Sequence, residues 1–396
     1  MKKHFQLEEF KKNIETVYTE EEWLKRISGK TKLRVKYGVD VTSPFLHLGH
    51  AVNLWKMREL QEMGHKIIFL IGDFTTTIGD PTGRAGARPE LSQKDILKNT
   101  KEFIRQVKKI LLTKPSVFEI QKNSQWYGNM KLKDFLGLLR MVTHSRLIER
   151  DMFQERICAH REIYMHELIY PILQGYDSVM LKSDLTIIGS DQLFNEMMGR
   201  FFQEKFGQSP QVIMTTRITP GIDGKEKMSK SLGNYIALDD SPRDKFGKAM
   251  SIPDELIVPY FEAYTAVADA AIQKIKSGLA LKKENPRDAK MLLAEKITER
   301  YHGARVAAKE REYFQKIFSE KEIDIQNLPV KKMPHQSYAP VDLVSMFGFS
   351  RSEARRLILG GAVEIDGKTY RDAHASVAVS AGTTVKIGKK ILMKIV

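Results

Sequence analysis

Apolar residues recur at Leu33, Val35, Tyr37 and Val39, a period of two that predicts a strand over 33–39 closing in a polar turn at 40–44. The period then changes. Ala51, Val52, Leu54, Trp55, Met57 and Leu60 form a helical stripe over 49–63, stopped by Gly64. Residues 66–71 are continuously apolar after Lys66, as a strand buried on both faces of a parallel sheet requires. Strand, helix and strand in this span predict a βαβ unit. The pattern returns with a strand at 184–188, a helix at 191–205 and a strand at 211–215. Between the halves lie mainly helical stretches at 91–112, 131–144 and 162–180. The predicted class is α/β: a Rossmann-like parallel sheet with a helical insertion near 115–165, the whole occupying 1–220.

From 241 to 318 the chain is charged and helical in pattern, so 221–325 is read as an α-helical domain opened by a lysine-rich loop. Pro329, Pro334 and Pro340 mark 326–340 as a linker. A small α+β module is expected over 341–396. Its helix opens on the capping box Ser350-Arg351-Ser352-Glu353 and ends at Gly360-Gly361. Two hairpins follow, turning at Asp366-Gly367 and near Gly388.

At 396 residues the chain can bury two or three cores. No apolar run reaches the roughly 20 residues that span a bilayer, and no signal-peptide core follows the start. The single cysteine, Cys158, excludes an internal disulfide and a Cys-rich zinc cluster, so a reducing cytoplasm is expected. Net charge is +15, from 64 basic and 49 acidic residues, which favours a polyanionic partner. Charge alone does not separate nucleic acid from an anionic membrane. The last module does: it holds nine Lys/Arg against five Asp/Glu, with Arg351, Arg355 and Arg356 on the helix and Lys386, Lys389 and Lys390 on the final hairpin. The resemblance of this module to a small RNA-binding domain, given below, implies RNA and not a membrane as the partner.

Two segments carry the chemistry. His47-Leu48-Gly49-His50 sets two imidazoles three positions apart where a strand gives way to a helix. Lys227-Met228-Ser229-Lys230-Ser231 sets two ammonium groups in a glycine-flanked run able to close over phosphates. A carboxylate attacking the α-phosphorus of ATP needs no protein nucleophile. It needs aligned reactants and neutralised phosphoryl charge. His47 and His50, the amides of their helix, the Thr42 hydroxyl, Lys227 and Lys230 are suited to supply that. Two histidines three apart also suit a metal ion, but no third ligand cluster accompanies them, and no metal site or tightly bound cofactor is expected. Farther along, Tyr170, Gln174 and Asp177 stand at i, i+4 and i+7 and share one helical face. A phenol and an amide there, with Asp80, could fix an ammonium group, and Asp177 could accept from a distant hydroxyl.

The His-Leu-Gly-His and Lys-Met-Ser-Lys-Ser pair resembles the two signatures of class I aminoacyl-tRNA synthetases. The residues at 36–47, 72–75, 78–84, 170–178 and 189–192 narrow the resemblance to the bacterial tyrosyl-tRNA synthetases. Residues 352–358 resemble the small RNA-binding domain shared with a ribosomal small-subunit protein. The resemblance implies ATP as substrate with Mg2+, L-tyrosine and tRNA(Tyr) as the other partners, a homodimer, and a cytoplasmic ligase. The rivals are a paralogue activating another amino acid and an inactive RNA-binding protein. It implies Thr42 and His47 at the pyrophosphate, His50 at the adenosine, and Asp40, Gly49, Gly189, Asp191, Met228 and Ser229 around ATP. Gln192 would lie near the amino-acid carboxylate. Some members offer a second phenol to the substrate from the position Lys36 holds here; Tyr37, one residue along, joins the candidates although a regular strand turns it to the opposite face. Val41, Phe45, Thr76 and Ile188 depart from the family pattern, where proline, aspartate, glycine and glycine are usual.

Overall fold

The computed structural model describes residues 10, 12–29, 31–82, 91–229, 232–318, 328, 330–388 and 391–396. It divides into two units, residues 1–302 and 303–396.

The first unit is built on a six-stranded sheet: β1 (Ile14–Tyr18), β2 (Arg34–Val39), β3 (Lys66–Ile71), β4 (Phe118–Lys122), β5 (Leu185–Gly189) and β6 (Val212–Thr216). The spatial order is β1-β6-β5-β2-β3-β4, parallel throughout except for β1, which runs antiparallel to β6. The sheet is thus the expected parallel one, with a single antiparallel edge strand that the hydrophobic pattern did not predict. The βαβ reading holds: α1 (Leu48–Glu62) joins β2 to its neighbour β3. Chain order reverses between β2 and β5, the position where open α/β sheets form a crevice at the carboxyl ends of their strands. Here the gap is visible in the register. β2 and β5 pair only at Val35↔Leu185 and Lys36↔Thr186, whereas β2 follows β3 up to Val39↔Ile71.

The stretch between the halves is less helical than its composition predicts. After α2 (Gln93–Val107) the chain forms the edge strand β4 before short helices at Ser124–Tyr127, Leu132–Leu139, His144–Ile148 and Asp151–Cys158. Two longer helices, α3 (Met165–Leu181) and α4 (Leu193–Lys205), then pack closely. Gly175 and Gly199 make that approach possible: a Cβ on Gly175 would stand 2.9 Å from the Met198 carbonyl carbon, and one on Gly199 would stand 2.6 Å from Ser178 Oγ. The contact brings the polar face of α3 against that of α4.

Helices α5 (Pro242–Met250), α6 (Ile257–Tyr264), α7 (Asp269–Ala280) and α8 (Pro286–His302) complete the first unit, as the charged helical pattern predicts. The second unit begins with α9 (Ala304–Phe318), ahead of the boundary expected near 325. Residues 330–338, expected to be linker, are structural. Val330–Lys331 pairs in parallel with Ile391–Ile395, and Ser337–Tyr338 pairs with Val377–Ala378. The prolines misled because Pro334 lies between those strands and Pro340 opens a helix at its first turn, where a missing N–H costs nothing. The capping box is formed: Ser350 Oγ accepts from Glu353 N at 3.3 Å, and Ser350 N donates to Glu353 Oε2 at 2.9 Å. Asp366 and Gly367 take φ of 48° and 76°, the two left-handed residues of the predicted turn.

Candidate active site

Both chemical segments lie at the carboxyl end of the sheet and are tied together by backbone. His47 caps α1 at its amino end. Leu48 N donates to Ile236 O at 3.0 Å and Leu238 N donates to Leu46 O at 2.9 Å, so 236–238 forms an antiparallel bridge across His47. The two imidazole centroids are 3.9 Å apart, and the ring of Tyr235 lies 6.0 Å from that of His47. His47 N donates to His50 Nδ1 at 3.3 Å, which leaves the proton of a neutral His50 on Nε2. Thr42 is half-buried in the loop before this turn, and Gly49 lies in the first turn of α1.

Lys227 reaches the other half of the sheet, its Nζ 2.9 Å from Asp191 Oδ2 just beyond β5, of which Gly189 is the last residue. The loop is held by a residue the sequence did not single out, Asn234. Its buried amide donates to Asp223 Oδ2 at 3.0 Å and to Glu226 O at 3.2 Å, and its Oδ1 accepts from Ser229 N at 2.8 Å. Gly221 allows the packing, since a Cβ there would stand 2.3 Å from Asn234 O. Met228 is buried, and Lys230 lies outside the described residues. Asn234→Ala frees three loop groups at once and, for the amino-acid activation that the resemblance implies, is expected to lower kcat about tenfold, measured by pyrophosphate exchange, with the amino-acid KM unchanged.

Toward α3 the predicted helical face is present, and its residues enter two hydrogen-bonded networks, one through Tyr170 and Asp177 and one through Gln174. Tyr170 OH donates to Asp40 Oδ2 at 3.1 Å, while Thr75 Oγ1 donates to Asp40 Oδ1 at 2.8 Å. Asp40, grouped above with the ATP residues, is thus bonded to the helix proposed for the amino acid. Gln174 Nε2 donates to Glu196 Oε1 at 2.9 Å. Asn195 Nδ2 donates to Gln174 Oε1 at 2.9 Å and to Gln192 Oε1 at 3.1 Å, and Gln192 Nε2 donates to Asp80 Oδ2 at 2.8 Å. Lys36 ends the chain, fully buried, 2.8 Å from Glu196 Oε2 and 2.7 Å from Ser178 Oγ.

Asp177 is buried and receives Trp126 Nε1 at 3.0 Å and Asn123 Nδ2 at 3.4 Å. Burial pushes its carboxyl up to about 7, against the pull of the Lys36 ammonium and of these donors. Burial, with Asp40 and Asp80 nearby, also holds the Tyr170 phenol well above its ordinary range.

Tyr37 does not join this group. It packs on the opposite face of β2 in the main apolar core, its ring 5.9 Å from that of Phe69, and burial raises its phenol to about 12. The reason is the strand period: Lys36 points toward Ser178 and Glu196, so its neighbour cannot. Two departures from the family pattern explain each other. Thr76 Oγ1 accepts from Val41 N at 3.0 Å and donates to Gly72 O at 2.5 Å. A proline at 41 would have no N–H for this contact, and a glycine at 76 no hydroxyl.

In the second unit Arg355 and Arg356 are exposed on Arg351–Leu359, Arg351 pairs with Asp342, and Lys386 Nζ lies 3.0 Å from Glu364 Oε1. Lys389 and Lys390 lie outside the described residues. Among the described residues no group of three or more His, Cys, Asp or Glu could hold a metal ion, and no helix is long and apolar enough to cross a membrane.

Comparison with known proteins places this geometry. The family described as tRNA synthetases class I (W and Y) matches residues 28–319, and the S4 domain matches residues 343–381. The tyrosine--tRNA ligase of Thermotoga maritima is 43% identical over 98% of this chain and 97% of its own length. That of Moorella thermoacetica is 43% identical over 90% of this chain and 86% of its own. Among solved structures, the tyrosyl-tRNA synthetase of Archaeoglobus fulgidus complexed with L-tyrosine has a TM-score of 0.61 at 23% identity, covering 77% of this chain and 99% of that one; it speaks for the fold.

Proposed function

The chain belongs to the class I aminoacyl-tRNA synthetases, among the tyrosine--tRNA ligases, and from that premise we propose how its residues divide the work. The reaction has two steps. A carboxylate oxygen of tyrosine attacks the α-phosphorus of ATP and pyrophosphate leaves; a ribose hydroxyl of the terminal adenosine of tRNA(Tyr) then takes the acyl group and AMP leaves. The observation that carries the proposal is the backbone bridge at His47↔Ala237, which sets the imidazole pair beside the segment that continues from the lysine loop.

Thr42, His47 and the amides opening α1 would donate to the triphosphate, and His50 Nε2–H to the adenosine side. Lys227 and Lys230 would clamp the departing pyrophosphate, with Asp191 released to the ribose. ATP would enter as its magnesium complex, the ion being part of the substrate. Asp80, Tyr170, Gln174 and Gln192 would orient the amino acid's ammonium and carboxylate. Asp177 would accept the phenol hydroxyl, within reach of Lys36. Arg351, Arg355, Arg356 and Lys386 would meet tRNA phosphates and read the RNA by shape.

A homodimer is supported by the apolar surface of the insertion, where Leu132 is 72% and Met165 70% exposed, with Leu136, Ile157 and Tyr164 also exposed. A cytoplasmic location agrees with the exposed, unpaired Cys158.

Pyrophosphate exchange with tyrosine, tryptophan and phenylalanine tests the reading. Tyrosine is expected to support exchange at least about a hundredfold better than the others. Exchange with tryptophan and not tyrosine would defeat the specificity, and none with any amino acid would defeat the enzyme.

A further inference from the structure

Helix α5 buries a charge that the steps above do not use. Lys245 is fully buried, and its Nζ donates to Ala237 O at 2.6 Å and to Leu238 O at 3.3 Å. Those carbonyls belong to the segment bridged to His47. The same ammonium lies 5.0 Å from the centre of the Tyr301 ring, and Tyr301 OH accepts from Trp55 Nε1 at 3.2 Å. Trp55 sits on α1, the helix that His47 caps. The contacts therefore close a circuit from the histidine helix through Trp55, Tyr301 and Lys245 to the bridged segment and back to His47.

A buried ammonium whose partners are carbonyls and a ring, with no carboxylate in ion-pair contact among the described residues, is costly where methionine would fill the space. Asp240, one of two acids that face it, instead accepts from Ala237 N at 2.7 Å and pairs with Lys248 at 2.8 Å. What the charge provides is placement. Two carbonyls are drawn to one point, and this fixes the height of 236–238 against the histidine loop.

We propose that Lys245 is a positioning residue for adenylate formation, holding the bridged segment that follows the lysine loop in register with the His47–His50 pair. The inference rests on the synthetase reading above. It concerns the chemical step and not the amino-acid pocket, so kcat and tyrosine binding should separate. Lys245 is faced by Asp239 and Asp240 from the preceding loop, Lys248 from its own helix, Lys109 from the end of α2, and Tyr301 and His302 from α8. Burial lowers its ammonium to about 8. Above that pH the amine keeps two donors but loses charge assistance to both carbonyls.

The full-length protein, its Lys245→Met variant and its Lys245→Arg variant are compared by tyrosine-dependent pyrophosphate exchange and by equilibrium tyrosine binding, across about pH 7 to about pH 9.5. Lys245→Met is expected to lose about a hundredfold in kcat, the effect of misplacing reacting groups by about an ångström, with tyrosine affinity within about twofold. Lys245→Arg should recover part of the rate. Wild-type kcat should decline above about pH 8, a limb that the methionine variant lacks. Unchanged kcat in Lys245→Met, or tyrosine affinity lost in proportion to rate, overturns the proposal. If that variant does not fold, a wild-type kcat level through about pH 9.5 overturns it instead. No exchange in the wild type would overturn the synthetase reading as well, whereas exchange with an indifferent variant would overturn this inference alone.

Discussion

Lys227→Ala is expected to slow adenylate formation by about a hundredfold to a thousandfold while leaving tyrosine KM within about twofold. In the structure the ammonium is half exposed and paired with Asp191 at 2.9 Å. A pair so open to water stabilises by only about 0–1 kcal/mol, so exchanging it for a triphosphate would cost little. In the proposed role the lysine's full effect would then be felt as negative charge gathers on the departing pyrophosphate. That is the condition for a group to raise kcat and not merely affinity. Because the pair is weak and solvated, the variant's unfolding free energy should match wild type within about 0.5 kcal/mol. Stopped-flow measurement of the first turnover checks the rate and a denaturant melt the stability. A raised tyrosine KM with an unaltered first-turnover rate would remove Lys227 from the chemical step.

The lysine and histidine segments were legible because each is local: spacing, flanking glycines and a strand-to-helix turn lie within a few residues. The helical face of Tyr170, Gln174 and Asp177 was legible for the same reason. What surrounds those residues was not. Asn123 and Trp126 hold Asp177 from the segment after β4, a five-residue edge strand whose mixed composition resembled its helical neighbours. Glu196 and Asn195 are unremarkable on a helix until the close approach at Gly175 and Gly199 turns them onto α3. The Val41–Thr76 contact spans 35 residues and converts two apparent defects into one hydrogen bond. Tyr37 shows the opposite case: the two-residue period already argued against it, and resemblance alone kept it among the candidates.

Asp177→Asn is expected to raise tyrosine KM by about tenfold to a hundredfold, the value of a hydrogen bond to a charged acceptor, and to narrow the preference for tyrosine over phenylalanine comparably. The wild-type carboxyl titrates near 7, so tyrosine KM should also climb as pH falls from about 8 to about 6 and the carboxylate is neutralised. The variant should show no such dependence. Stability runs the other way. Burial raises this carboxyl far above its value of 3.8 in the unfolded chain, so the folded state holds its proton where the unfolded state has released it. The stabilisation is complete below about pH 4 and is lost as pH rises to about 7. Between about pH 5 and about pH 7.5 the wild type should therefore lose about 2 kcal/mol that Asp177→Asn does not lose, at about 1.4 kcal/mol per pKa unit. Paired urea melts at the two pH values measure the difference, and parallel losses in the two proteins would show that Asp177 does not carry a raised pKa. If the losses differ as expected, the charge proposed to meet the phenol is one whose burial costs the fold stability. The pocket then obtains its selectivity by keeping a carboxylate ionised where the protein would be more stable with an amide.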